Sequence, residues 1–157
     1  MPTTDTTASP DRIEKQVTIE APRSRVWRAL TEVEQFNAWF GVSLASSFSP
    51  GAEVSGVITL RNPERQLELT IWIERMEPES FFSFRWHPYA IEEGVDFSTE
   101  PTTLVTFTLE DLGDGTRLTI VESGFDAIPA SRRVKAFSMN DRGWTAQAEN
   151  LRKFVTA

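Results

Sequence analysis

The sequence predicts an α+β domain in which a bent antiparallel sheet of about six to seven strands wraps one long C-terminal helix, because one-sided elements must bury their apolar faces on each other. Three observations carry this. Between Gly41 and Phe125 apolar residues recur with a period of two. Near the C-terminus Trp144, Ala148, Leu151 and Val155 form one apolar stripe at helical spacing. Before the sheet pattern, a first strand is followed by two short helical segments.

In order, residues 1–11 are small, polar and turn-forming, and are expected to be a disordered tail, leaving 12–157 as a single domain. Arg12 to Ile19 alternates at Ile13, Val17 and Ile19, as a strand does. Pro22 suits the first turn of a helix carrying Val26, Trp27 and Leu30, and Val33, Phe36 and Phe40 mark a second helix that stops at Gly41. Strands are then expected at Ser43–Ser49, Glu53–Arg61, Gln66–Met76 and Ser80–His87. In the third of these Leu67, Leu69, Ile71 and Ile73 share a face, with Trp72 on the polar side. In the fourth Phe82, Phe84 and Trp86 do so. Pro88–Pro101 lacks a period and reads as a long loop, a length associated with functional lids. Thr102–Leu112 and Arg117–Phe125 are strands joined at Gly113–Gly115, a turn signal. Asn140–Val155 is the main helix, with Ser131–Phe137 as a shorter lead-in.

Composition narrows function. The 157 residues fit one domain, and with no cysteine the chain has no disulfide, thiol nucleophile or iron–sulfur cluster. A single histidine makes a zinc site unexpected, and a net charge of −7 disfavours nucleic acid. No apolar run is long enough for a membrane span and the N-terminus has no signal-peptide pattern, so a cytoplasmic location is expected. Phosphate-binding glycine loops, the GxSxG elbow and HExxH are absent; GDGT at Gly113–Thr116 reads as a hairpin turn. No cofactor or metal is expected.

Two features are candidates for chemistry. Leu118, Ile120 and Glu122 share a strand face, so Glu122 either points into the core, where a carboxylate must be paired, hydrogen-bonded or protonated, or leaves it as the strand ends at Ser123 and Gly124. The aromatic load of 11 Phe, 5 Trp and 1 Tyr either fills the core or lines a cavity. Small residues on the terminal helix, Ala148 and Gly143, favour unfilled volume beside it. The expected lining is Phe82, Phe84, Trp86, Phe107, Ile120, Glu122, Trp144, Ala148 and Leu151. His87 reads as a wet strand-end residue. Glu77, Glu79, Glu92, Glu93, Asp96 and Glu100 read as a solvated acidic rim that disfavours anionic ligands.

The segments VTIEAPRSRVWRALTEVEQFNAWFG (Val17 to Gly41), PESFFSFRW (Pro78 to Trp86), GTRLTIVESGF (Gly115 to Phe125) and the Gly143–Trp144 pair resemble the family of homologues of the activator of heat-shock protein 90 ATPase, C-terminal-domain type. That family lies in the START-like, or SRPBCC, superfamily. The resemblance covers about Arg12 to Val155 and implies a helix-grip fold around a cavity that, in the superfamily, holds apolar or aromatic molecules. Ala148 stands where a larger apolar residue is common, which implies a roomier pocket. The eukaryotic activators also carry an N-terminal chaperone-binding domain, which is not expected in these 157 residues. The expected function is binding of a small apolar or aromatic ligand between sheet and terminal helix, by a monomer or weak homodimer. The alternatives are a cyclase- or isomerase-like enzyme using Glu122 as acid or base, and a chaperone-associated or other protein-interaction module in stress response, presenting Trp72.

Overall fold

A computed structural model describes residues 11–60, 64–91 and 95–157. The strands are β1 (Arg12–Ile19), β2 (Val42–Leu44), β3 (Glu53–Leu60), β4 (Arg65–Glu77), β5 (Phe81–Trp86), β6 (Thr103–Leu112) and β7 (Gly115–Ser123). They form one antiparallel sheet in the order β1-β7-β6-β5-β4-β3-β2. Helices α1 (Arg23–Thr31) and α2 (Val33–Phe40) follow β1, a 3-10 turn spans Phe125–Ala127, and α3 (Ala130–Thr156) closes the chain. The helix-grip arrangement expected from the sequence is the one observed. Of the expected tail, residues 1–10 lie outside the described residues. Asp11 accepts hydrogen bonds at its carbonyl from Gly124 and Phe125 and at its carboxylate from Asp126, so it belongs to the folded domain.

Local chemistry explains the layout. Val26, Ala29 and Leu30 bury one side of α1, and Phe36 and Trp39 one side of α2. The two are tied where the Trp39 indole donates to the Ala29 carbonyl at 2.8 Å. Gly41 ends α2 at φ 85°, a left-handed geometry that glycine adopts without penalty. The sheet bends tightly at β2–β3. A Cβ on Gly56 would lie 2.0 Å from the Ser43 carbonyl oxygen, so any side chain there would push β2 away.

Three sequence expectations need adjustment. The strand expected over Ser43–Ser49 is only Val42–Leu44, because the chain turns inward to pack Phe48 against Phe36 and Phe82. In β4 the register shifts between Ile73 and Arg75, a bulge that moves the inward face from Ile71 and Ile73 to Met76, which pairs with Phe82. The terminal helix and its lead-in are one continuous helix of 27 residues. Its buried stripe runs Ala136, Trp144, Ala148, Leu151, Val155, and Asn140 occupies the missing step between Ala136 and Trp144. A polar residue at that step is what divided the helix in the sequence pattern.

The core beneath α3 is dense with rings: Phe82 stacks on Phe107 at 5.8 Å, and Phe107 meets Trp144 edge-on at 5.9 Å. Such pairs add about 0.5–1.5 kcal/mol each beyond the area they bury. Among the described residues, no helix is long and apolar enough to cross a membrane.

Candidate functional site

Four elements converge on one carboxylate. Along β7, Thr116, Leu118, Ile120 and Glu122 are each 1% exposed or less, so the period of two carries Glu122 fully into the interior. Its Oε1 accepts from the Trp144 indole at 2.8 Å, and Asn140 Nδ2 lies 3.0 and 3.1 Å from Oε1 and Oε2. Oε2 accepts from the Trp86 indole at 2.9 Å and the Thr103 hydroxyl at 2.6 Å. Indole and amide N–H groups can only donate, so the acceptor-only face of a carboxylate is what this donor set fits. The network pins the end of β5, the start of β6, β7 and the middle of α3 to one point.

Beside this point lies a cavity of about 880 Å3. Its origin is in the strand lengths. β5 pairs with β4 only between Trp72 and Glu77, so Arg65–Ile71 of β4 pairs with β3 alone and its other edge faces a gap. The chain after Trp86 spans that gap. The floor is Ile58, Leu60, Leu67 and Leu69 of the β3–β4 hairpin; Phe40 closes one end, and Met139, Gly143 and Trp144 of α3 form the opposite wall. Tyr89, Ile91 and Phe97 form the covering loop. The polar groups on the lining include Asn140, His87 and Gln147. Gln147 is already committed, donating to the Phe40 carbonyl and accepting from Asn150.

The covering loop is held by Arg132 of α3. Its guanidinium donates to the Pro88 carbonyl at 2.9 Å, the Tyr89 carbonyl at 3.0 Å and both Glu100 oxygens, and lies 4.7 Å from the Phe97 ring centre. Tyr89 itself has φ 50°, a left-handed conformation that is unfavourable for a bulky side chain. Arg132 holds the strained residue's carbonyl directly.

His87 stands at the cavity wall, with its ring edge-on to Trp72 at 5.6 Å. Nδ1 is buried with no hydrogen-bond partner among the described residues. Partial burial pushes its pKa below the 6.5 of a free imidazole; Arg132 pushes the same way, while Glu100, the Pro101 carbonyl and Asp96 push back. A group whose pKa is lower folded than unfolded takes its proton more readily when unfolded, so folding stability falls as the pH drops through 6.5 toward the folded value. Urea unfolding across this range is expected to show that slope, and His87→Gln to flatten it; an unchanged slope would assign it to other groups.

Of the residues expected to line a pocket, the structure places Trp86 and Trp144 on the cavity. Phe82, Phe84, Phe107, Ile120 and Leu151 are in the packed core, with Ala148 beside them at 8% exposure. Glu122 sits directly behind the two indoles, hydrogen-bonded to both. Gly143 lines the cavity. The loop was marked in the sequence by its length and lack of period, but Tyr89, Ile91 and Phe97 were not singled out, because residues that cap a cavity from an aperiodic segment share no repeat. Of the expected acidic rim, Asp96 lines the cavity and Glu100 is paired with Arg132. Glu77 and Glu79 lie at the opposite end of the β4–β5 hairpin from His87, and Glu92 and Glu93 lie outside the described residues. Trp72 is half-buried, its indole 3.2 Å from a Glu53 oxygen. Large apolar side chains exposed among the described residues are scattered at Val95, Leu112 and Val134, and no cluster of acidic, histidine or cysteine ligands forms there for a metal.

The family model of Activator of Hsp90 ATPase homolog 1-like proteins matches residues 20–156. The chain belongs to this family. No curated protein matches. Solved structures place this family member beside proteins of the same fold. Protein MLL2253 of Mesorhizobium loti is 21% identical with a TM-score of 0.72, covering 92% of this chain and 96% of its own. Protein CV1439 of Chromobacterium violaceum is 18% identical with a TM-score of 0.74, covering 95% and 99%. DynU16, a putative protein in the dynemicin biosynthetic locus, is 21% identical with a TM-score of 0.70, and the match covers 94% of this chain and 48% of DynU16.

Proposed function

We propose that this member of the family is a small-molecule binding protein that holds an apolar or aromatic guest between the β3–β4 hairpin, the loop after Trp86 and the middle of α3. The observation that carries the reading is the cavity of about 880 Å3, whose walls are aliphatic and aromatic with a few polar groups, the usual constitution of a small-molecule site. Trp86 and Trp144 support it further. Their N–H groups are turned onto Glu122, which fixes both ring planes at the cavity wall, 5.9 Å apart and tilted by 32°. Rings held in place by other bonds lose little entropy when a guest packs on them.

Acid–base catalysis by Glu122 gains no support from this arrangement, since a general base must reach its substrate and both carboxylate oxygens are occupied behind the lining. Titration with the neutral dye Nile red is the direct test. Binding should enhance dye emission, quench indole fluorescence and raise the melting temperature. Absence of all three, repeated with a neutral polycyclic aromatic, would overturn the proposal.

A further inference from the structure

We infer that Glu122 sets the ligand specificity of the cavity indirectly, by fixing the Asn140 side-chain amide so that its carbonyl oxygen receives a hydrogen-bond donor, a hydroxyl or N–H, carried by an otherwise apolar guest. This rests on the cavity reading above and adds the chemistry of the guest's polar end.

An asparagine amide has two faces, and which one a cavity meets is normally open to a flip about the last torsion. Here it is not. Nδ2 lies 3.0 and 3.1 Å from the two oxygens of Glu122, and a carboxylate already taking protons from two indoles and a hydroxyl offers a carbonyl oxygen only repulsion. The nitrogen therefore faces Glu122, and Oδ1, on the other arm of the same planar group, faces away. Oδ1 has no hydrogen bond to any described residue, and Asn140 lines the cavity. The position makes the same point. Asn140 occupies a step of the buried stripe of α3 that an apolar side chain would fill, with its amide nitrogen bonded to Glu122 and its oxygen, which has no partner among the described residues, open to the cavity's solvent.

The specificity this produces is asymmetric. A guest with a hydroxyl near Trp144 donates a hydrogen bond to Oδ1 in place of the water it displaces. A guest with only an ether or methyl there leaves that oxygen dry and unpaired, which penalises binding. Asn140 would contact the guest; Glu122 is a positioning residue that acts through it.

The test compares para-hydroxybiphenyl with para-methoxybiphenyl, which keeps the oxygen and the aromatic body and lacks the donor, by displacement of Nile red. The full chain is expected to favour the hydroxyl compound by roughly tenfold, about 1.4 kcal/mol. Asn140→Ala should bring the two compounds to nearly equal affinity, and Glu122→Gln, which no longer fixes which face of the Asn140 amide meets the guest, should reduce the preference. Equal binding of both compounds to the unaltered protein would overturn the inference and leave the cavity reading standing. Binding of neither, nor of Nile red, would overturn both. A preference that survives in Asn140→Ala would place the acceptor elsewhere and overturn the assignment to Asn140, and one that is undiminished in Glu122→Gln would overturn the positioning role of Glu122. If Asn140→Ala does not fold, the compound pair on the unaltered protein and Glu122→Gln still decide.

Discussion

Glu122→Ala is expected to lower the folding free energy by about 3–5 kcal/mol, since each enclosed donor left without an acceptor costs about 1–3 kcal/mol. The carboxylate is fully buried and serves Trp86, Thr103, Asn140 and Trp144 together. Thr103 and Trp144 are 0% and 3% exposed, so solvent cannot replace the lost acceptor without entering the core. Trp86 and Asn140 border the cavity and can be rehydrated, which is why the loss stops short of the sum of four donors. At about 2–4 °C per kcal/mol for a chain of this size, the melting temperature should fall by roughly 10–15 °C. Glu122→Gln keeps one acceptor oxygen but turns an NH2 group toward N–H donors, and about half the loss is expected, near 2 kcal/mol. A double-mutant cycle sharpens the test. Trp144→Phe removes an indole donor along with part of its packing, so in the Glu122→Ala background it should cost less than in the wild type. Urea unfolding followed by fluorescence measures all four proteins; purely additive losses would mean that the carboxylate and indole do not depend on one another.

The sheet, the helix and the alternation along β7 were legible because burial on one face leaves a period. Leu118 and Ile120 set the parity that carried Glu122 inward. What the strand pattern left open was whether β7 leaves the core before reaching it. That was decided by partners from other elements, above all by Asn140, a polar residue whose presence hid the continuity of α3. Trp86 and Trp144 were legible as aromatic members of apolar stripes, whereas their role in the cavity follows from where β5 ends. A stripe of Phe82, Phe84 and Trp86 does not reveal that its first two members are sealed by neighbouring rings while the third stands at an opening. The bulge after Ile73 was equally silent, because shifting the parity of β4 leaves both Ile73 and Met76 plausible as inward residues.

Arg132→Ala is expected to release the covering loop without unfolding the domain. The arginine is 11% exposed at its side chain and its partner Glu100 17%, so the pair is shielded enough for its charge-assisted bonds to count, at about 1.5–3 kcal/mol each before compensation by water. Removing it also frees the carbonyls of Pro88 and Tyr89 and takes the cation from Phe97. Tyr89, held at φ 50°, is then able to relax to an ordinary conformation, which favours the open loop further. None of these contacts is to the sheet, so the loss should appear as local opening: amide exchange in residues 89–91 and 95–100 should accelerate by about 100-fold, equivalent to about 3 kcal/mol, while the strands stay protected. Nile red should dissociate faster by a similar factor with little change in its association rate, because affinity differences at a retained surface reside mainly in dissociation. Arg132→Lys keeps the charge but cannot span two carbonyls and a carboxylate at once, so it should fall between the two. Exchange in the loop that is unchanged in Arg132→Ala would mean that Ile91 and Phe97 hold it by burial alone, and the dissociation rate should then be unaffected as well.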